Sequence, residues 1–399
     1  MDFDPPEGVR PLLERIERFI ADEVMPLEPA VMEHGFVANE AKLAELRAKV
    51  KEAGMWAPQS PKDIGGLGLS LVEHGLVSER LGRTPLGHYV FGAQAPDAGN
   101  AEILHKYGTP EQKATWLEPL ARGELRSCFS MTEPENPGSN PTLLSCQARK
   151  DGADYVIDGH KWFTTAADGA AFAIVMAVTN PDAPPHARAS MIIVPTDTPG
   201  FERTRNIKIM GDPGEGYGSH SEIWYRNVRV PQTNRLGPEG AGFLIAQERL
   251  GPGRIHHCMR WIGICERVFD TMCAHITRRK IDDDKTLATR QIAQAWVAEA
   301  RAEIDASRLM VLHAAWTIEN KGFDRARDQV SVIKFYVADV MLHLVDRAIQ
   351  LHGALGITSD TILAYYYVHE RGARIYDGPD EVHKMVVAKR ILARYGAAR

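Results

Sequence analysis

Several features that would assign a protein class at once are missing from this 399-residue chain. No run of about 18 apolar residues occurs, so the sequence predicts no membrane-spanning helix. The formal net charge of -5 provides no basic excess for general nucleic-acid binding. The acidic first residues, Met1 to Gly8, match neither a secretory signal nor an Arg-rich transit peptide, and we therefore expect a cytoplasmic protein.

Cysteine is scarce, and its spacing forms no motif. The cysteines are Cys128, Cys146, Cys258, Cys265 and Cys273, and none of them form a CxxC pair. We expect reduced core residues rather than a disulfide frame. His256, His257 and Cys258 are adjacent rather than spaced by a helical turn, so we expect no metal site.

The sequence also lacks a GxGxxG fingerprint and a βαβ alternation, which argues against a doubly wound dinucleotide fold. Instead, the chain shows three successive sequence patterns. The first, to about residue 125, is helical: Leu43, Leu46 and Val50 form an apolar stripe, and Thr109-Pro110 is typical of a helix start. These patterns predict an N-terminal all-α domain over residues 1–125.

The second pattern consists of short β-rich runs separated by turns. The runs lie at 127–131, 143–149, 171–179, 191–194 and 223–230. Their spacing is typical of an antiparallel sandwich or barrel. We therefore predict a middle antiparallel β domain over residues 126–240.

The third pattern is again helical, with apolar residues recurring every three or four positions. Predicted helices span 242–279, 286–320, 326–353 and 381–397. Two stripes, Ile292 to Ile304 and Val330 to Ala348, are expected to form core. The chain is thus predicted to be a multi-domain α+β protein that ends in a four-helix bundle over residues 241–399.

One short segment near the end of the chain indicates chemistry. Asp377 is followed by Gly378 and Pro379, and a helical pattern begins just after them. A carboxylate on such a turn can point into a cleft and act as a general base. The alternative is ordinary helix-start chemistry, in which Asp380 caps the helix.

These segments, in this order, resemble the acyl-CoA dehydrogenase superfamily over nearly the whole chain. The matching motifs are Leu104 to Lys113, Ser130-Met131-Thr132-Glu133-Pro134, Asp158 to Thr165, Val228-Arg229-Val230-Pro231, Gln350-Leu351-His352-Gly353 and Tyr376-Asp377-Gly378. Arg254 to Arg260, together with Asp377 to His383, is similar to a subset found as free bacterial enzymes and as the C-terminal unit of kinase-linked proteins.

The resemblance implies an FAD site. It assigns the edge of the flavin ring to Phe129, Met131 and Thr132, and the opposite side to Phe163 and Thr165. Across a subunit interface it assigns Arg279 to the pyrophosphate, with Arg278 and Lys280 as alternatives, and Gln350, Gly353 and Ala354 to the adenosine side. Pro379 and Glu381 are also assigned to the cofactor, with Asp380 and Glu381 either facing the flavin or capping the helix.

The resemblance also implies the substrate and the reaction. Ser139, Arg254 and Gly378 are expected to contact an acyl-CoA, although a buried ion pair is the structural alternative for Arg254. Asp377, where relatives usually carry Glu, would remove the α-proton while a β-hydride passes to flavin N5. The product would be a trans-2-enoyl-CoA, as in fatty acid β-oxidation.

The implied partners are an electron-transfer flavoprotein and further copies of the chain, in a dimer or a tetramer. Two rival functions remain open. One is a flavin oxidase of the same fold, similar to nitroalkane oxidases, which use Asp as the base, or to acyl-CoA oxidases. The other is a member that binds acyl-CoA without turnover.

Overall fold

The computed structural model describes residues 4–396 of the chain. Its helices are α1 (Arg10–Phe19), α2 (Glu28–His34), α3 (Glu40–Glu52), α4 (Leu71–Leu81), α5 (Gly87–Val90), α6 (Asp97–Tyr107), α7 (Pro110–Gln112), α8 (Glu118–Ala121), α9 (Gly242–Arg278), α10 (Gln291–Lys321), α11 (Phe323–His352), α12 (Ile362–Glu370) and α13 (Asp380–Ala393). Its strands are β1 (Ser127–Ser130), β2 (Gln147–Asp151), β3 (Asp154–Thr165), β4 (Phe172–Val178), β5 (Ala189–Pro195), β6 (Phe201–Asn206), β7 (His220–Pro231) and β8 (Arg235–Leu236). In this part of the chain, no helix is long and apolar enough to cross a membrane.

The described chain divides into two compact units. The helical unit contains residues up to 28, residues 69–88 and residues from 251 onwards. The β unit contains residues 29–68 and 89–250. Helices from the predicted N-terminal domain therefore contribute to both units, and the boundaries at 125 and 240 remain predictions.

The β unit is organised around an eight-stranded sheet with the order β6-β7-β3-β2-β4-β5-β8, and β1 also pairs with β4. Most neighbouring strands are antiparallel, as predicted, but β1 and β2 both run parallel to β4. The sheet is therefore mixed. The spacing of the β-rich runs predicted antiparallel neighbours. The parallel partners of β4 lie earlier in the chain, and local spacing does not report such long-range pairing.

Two apolar clusters stabilise the β unit. One contains Tyr155, Ile157, Ile223 and Tyr225, all of which are almost fully buried. The other brings Ile103 and Leu104 of α6 against strand residues such as Ile174 and Met191. Because fully burying a large apolar side chain contributes roughly 1.5–3 kcal/mol, these clusters provide the main driving force for this unit.

A buried ion pair fixes the segments predicted to contact the flavin. Lys161 Nζ lies 2.8 Å from Glu133 Oε1, and their side chains are 0% and 1% exposed. Lys161 Nζ also donates to the carbonyl oxygen of Met131 at 2.8 Å. Glu133 accepts further hydrogen bonds from the amides of Ser145 and Cys146. The loop after β1 is thereby tied to the second half of β3.

In the helical unit, α11 packs against α10, α12 and α13, and α4 packs against α1 and α10. The predicted stripe on α11 is confirmed, because Val330, Ile333 and Val337 are buried. The stripe on α10 is wrong at its first position, since Ile292 is 56% exposed whereas Ala300 and Ile304 are fully buried. In the first turn of α10 the buried residue is Ala293, one position after Ile292, so the packed face there is offset from the predicted stripe.

We predict that Lys161→Met destabilises the protein by roughly 3–5 kcal/mol, because the buried Glu133 carboxylate loses its counter-charge. Equilibrium denaturation monitored by tryptophan fluorescence measures the loss. Lys150→Met is the matched control: Lys150 forms a pair with Glu239 at 2.8 Å but is 49% exposed, and such surface pairs contribute about 0–1 kcal/mol. Equal losses in the two variants would contradict the prediction.

Candidate active site

The turn that carries Asp377 has a strained backbone. Asp377 has a φ of +54° and Gly378 a φ of +98°. A non-glycine residue at positive φ is uncommon and costs roughly 1–2 kcal/mol, so surrounding contacts must hold it in place. Such strain often marks a functional residue.

Those contacts converge on the carbonyl oxygen of Asp377. Arg254 of α9 donates to it from Nε and Nη2, each at 3.2 Å. His383 of α13 donates to the same oxygen from Nε2 at 3.1 Å. Burial lowers the pKa of His383 to about 4, so near neutral pH the imidazole is an uncharged donor. Two helices therefore hold the main chain of the turn.

Gly378 is required by the same arrangement. A Cβ on Gly378 would lie 2.8 Å from His383 Nε2. His383 is only 5% exposed, and moving it would break its bond to Asp377. The glycine thus provides both the left-handed conformation and the space for the imidazole.

The Asp377 carboxylate itself contacts a residue that sequence reasoning missed. His257 Nε2 lies 3.3 Å from Asp377 Oδ2, and the two side chains are 25% and 22% exposed. The adjacent Tyr376 is held by hydrogen bonds from Arg260 and Trp261 to its hydroxyl. A usable signal existed, since Arg254 and His257 lie three positions apart and so share a face of α9.

Asp380 does not have either role that was expected for it. The N-cap position of α13 is Pro379, without a side-chain capping bond, and Asp380 is the first helical residue. Its carboxylate lies 2.6 Å from Arg374 Nε and 3.5 Å from Lys334 Nζ, at 1% exposure. The expectation that Asp380 caps the helix or faces the flavin is therefore wrong, because the charge is buried in an ion-pair cluster. Glu381 is exposed.

In the β unit, the predicted flavin residues come together across β1 and β3. Thr132 Oγ1 donates to the carbonyl oxygen of Trp162 at 2.8 Å, and the Trp162 amide donates back to Thr132 at 3.1 Å. The Thr165 hydroxyl is 2.8 Å from His220 Nδ1. The ring of Phe129 stacks under Arg249, whose guanidinium carbon lies 4.4 Å from the ring centroid. Met131 is half-buried, and its carbonyl binds Lys161.

Phe163 differs from an ordinary strand residue. It has a φ of +49°, and the pairing of β3 with β7 shifts register between Lys161 and Thr164. The shift leaves the Phe163 ring 44% exposed. A bulge that turns a large aromatic side chain out of the sheet provides a surface for a flat ligand.

The residues predicted to contact a neighbouring subunit's cofactor lie on the surface of the helical unit. Arg279 follows the last residue of α9, and Arg278, Arg279 and Lys280 are all exposed. Gln350 lies in the last turn of α11, and Gly353 and Ala354 follow it, also exposed. Ser139, in the β unit, lies on an exposed loop. The roles of these residues remain predictions.

Comparison with known proteins gives matches along the chain. Family models describe residues 7–124, 128–228 and 240–392 as the N-terminal, middle and C-terminal domains of acyl-CoA dehydrogenases. The chain is 42% identical to "Probable acyl-CoA dehydrogenase FadE2" of Mycobacterium tuberculosis over 95% of this chain and 94% of that protein.

Mouse acyl-CoA dehydrogenase family members 10 and 11 are 40% and 39% identical over 96% and 95% of this chain. The chain covers only 37% and 49% of their lengths. Among solved structures, a Mycobacterium abscessus protein matches with a TM-score of 0.94 at 39% identity, covering 99% of this chain and all of that one. Butyryl-CoA dehydrogenase from Megasphaera elsdenii matches with a TM-score of 0.83 at 25% identity, covering 98% and 100%.

We predict that the protein loses stability as the pH falls from about 6.5 to about 4. Burial lowers the pKa of His256 to about 3 and that of His383 to about 4. The unfolded chain, with ordinary imidazoles, therefore binds more protons across this window, and each such histidine lowers the free energy of unfolding by up to about 1.4 kcal/mol per pH unit.

Denaturant unfolding at several pH values measures this slope, and His256→Gln should reduce it. His343→Gln removes an imidazole that is 63% exposed and should leave the slope unchanged. An unchanged slope in His256→Gln would refute the prediction.

We also predict that Gly378→Ala lowers the thermal midpoint more than Gly65→Ala. A Cβ on Gly65, at a φ of +86°, has no atom within 4 Å, so that variant reports backbone strain alone. Gly378→Ala adds a clash and a lost hydrogen bond, which together cost roughly 1–3 kcal/mol more. Calorimetry of both variants tests the difference, and equal shifts would show that His383 moves away freely.

Proposed function

This chain belongs to the acyl-CoA dehydrogenase family, an FAD-dependent group of oxidoreductases, and we propose that it oxidises an acyl-CoA thioester to a trans-2-enoyl-CoA with Asp377 as the base. The observation that carries this proposal is the anchored turn, in which Arg254 and His383 hold the main chain of Asp377. These donors hold the backbone of the turn, so the Asp377 side chain is the part that can still move towards a substrate.

The residues present fit FAD. The ring of Phe163 is 44% exposed on its strand bulge and suits one side of an isoalloxazine ring. Thr132 and Thr165 provide hydroxyls beside it, and the Lys161–Glu133 pair holds both of their segments. The exposed cations near the end of α9, with Arg279 foremost, suit a pyrophosphate. The bound flavin supplies a hydride acceptor at N5.

The chain's own residues do the rest. Asp377 removes the proton α to the thioester carbonyl, and its backbone N–H stabilises the negative charge that develops on the carbonyl oxygen. Aspartate is one methylene shorter than the usual glutamate, so the position of its turn matters more: a misplacement of about 1 Å can cost about 100-fold in rate. Burial lowers the pKa of Arg254, and the neighbouring Asp377 carboxylate opposes that effect.

Substrate contacts and partners follow the family pattern. Ser139 and Gly378 are proposed to contact the acyl-CoA, and Arg254 is proposed to contact it as well as the turn. Electron-transfer flavoprotein is proposed as the electron acceptor. A homo-oligomer is proposed because Arg279, Gln350 and Gly353 are exposed and so accessible to a neighbouring subunit's cofactor.

An anaerobic titration tests the proposal. The FAD-loaded protein is mixed with straight, branched and hydroxylated acyl-CoAs of several lengths, and the flavin absorbance is followed. At least one thioester should bleach the flavin and yield the 2-enoyl product. No bleaching by any of them would overturn dehydrogenation, and fast reoxidation of the reduced protein by oxygen would favour the oxidase alternative.

We predict that Asp377→Asn lowers the rate of flavin reduction by about 100- to 10,000-fold, because an amide cannot accept the α-proton. FAD content and acyl-CoA affinity should persist. Rapid mixing without oxygen measures the rate. Glu381 is the rival carboxylate on this turn and is exposed; if Asp377 is the base, Glu381→Gln should reduce far faster than Asp377→Asn. If Glu381→Gln is the inactive variant instead, Asp377 is not the base.

A further inference from the structure

We infer that His257 is a positioning residue whose imidazole orients the Asp377 carboxylate. The inference rests on the proposed function of Asp377. Its structural basis is the contact between His257 Nε2 and Asp377 Oδ2, at 3.3 Å. At that distance, the imidazole is in direct contact with the carboxylate.

One face of α9 fixes both parts of Asp377. Arg254 binds the carbonyl oxygen, and His257, three positions later, contacts the carboxylate. The imidazole is itself held between aromatic rings, with centroids 5.5 Å from Tyr376 and 6.1 Å from Trp261. The Asp377 side chain is short and its main chain is anchored, so one further contact is enough to fix the orientation of the carboxylate.

The neighbouring histidines cannot take this role. His256 turns to His74, with Nε2 3.0 Å from His74 Nδ1. Burial lowers the pKa of His256 to about 3, and those of His74 and His88 well below the ordinary value. These imidazoles stay neutral near physiological pH. His257 instead contacts the Asp377 carboxylate and keeps 25% of its side chain exposed.

Other charged and polar groups lie near the pair. Arg254 and Arg260 of α9 stay charged. Burial lowers the pKa of Lys334 on α11, and Asp380 and Asp377 oppose that effect. His383 of α13 and His88 of α5 are neutral through burial. Burial also raises the pKa of the adjacent Tyr376, which keeps its hydroxyl protonated.

The consequence concerns the geometry of the reaction. An imidazole that contacts the Asp377 carboxylate at 3.3 Å restricts where that carboxylate can point. A carboxylate held in one orientation needs less rearrangement to reach the α-proton of the substrate. Proton abstraction should therefore be slower when the imidazole is removed.

Two substitutions test the role of the imidazole. His257→Gln retains a polar N–H donor, whereas His257→Ala removes it. We expect His257→Ala to lower the rate of anaerobic flavin reduction by acyl-CoA about 10- to 100-fold, with acyl-CoA affinity little changed. We expect His257→Gln to recover most of that rate. A wild-type rate in His257→Ala, or an equal loss in both variants, would overturn the inference.

A second measurement needs no turnover. In a double-mutant cycle, His257→Gln and Asp377→Asn are combined, and the coupling is taken from thermal midpoints at pH 5.5 and pH 8. We expect a stabilising coupling. The control cycle uses His343 and Asp339, whose contact of 3.6 Å is exposed, with little coupling expected.

No coupling between His257 and Asp377 at either pH would overturn the inference even in an active enzyme. The coupling can be found although no acyl-CoA bleaches the flavin of the wild-type protein. The two side chains then interact, but Asp377 does not remove a proton from an acyl-CoA. That result overturns the proposed function and, with it, the role inferred for His257.

Discussion

The structure around the candidate base depends on one interaction, the hydrogen bonding of the Asp377 carbonyl oxygen to Arg254 and His383. Without it, a non-glycine residue would not remain at a φ of +54°. Helices α9 and α13 meet at this oxygen, so the packing of the helical unit directly sets the backbone of the turn. The strain is confined to the turn, and the hydrogen bonds from α9 and α13 hold the turn in this conformation.

The buried ion pairs of the two units have similar roles. Lys161 and Glu133 lie inside the β unit and connect the segments that carry Thr132 and Thr165. Lys334 and Asp380 lie inside the helical unit and fix the first turn of α13, just after Asp377. Buried pairs add little net stability compared with apolar packing, but they penalise any arrangement that separates the charges. In both units, they specify the position of segments that carry candidate site residues.

Local patterns were readable where a few neighbouring residues determine the outcome. Thr109 and Gln112 form a capping box at the predicted helix start. The α11 stripe is buried, and the order of helical, β-rich and helical segments follows the periodicity of the sequence. The Asp377-Gly378-Pro379 turn was likewise located from the local sequence, because glycine is typical of turn positions that need a positive φ.

Other features arise only when distant segments meet. Arg254 and Asp377 are 123 positions apart, and no local pattern shows that one binds the carbonyl oxygen of the other. Asp380 looked like a capping residue until packing enclosed it with Lys334 and Arg374. The resemblance assigned Phe163 to the flavin, but the register shift that leaves its ring exposed depends on the pairing of β3 with β7. The sequence by itself determined the elements and the candidate base, since propensity and periodicity act over a few residues. Tertiary structure decided the partners of each charge, because burial and pairing depend on which surfaces come into contact.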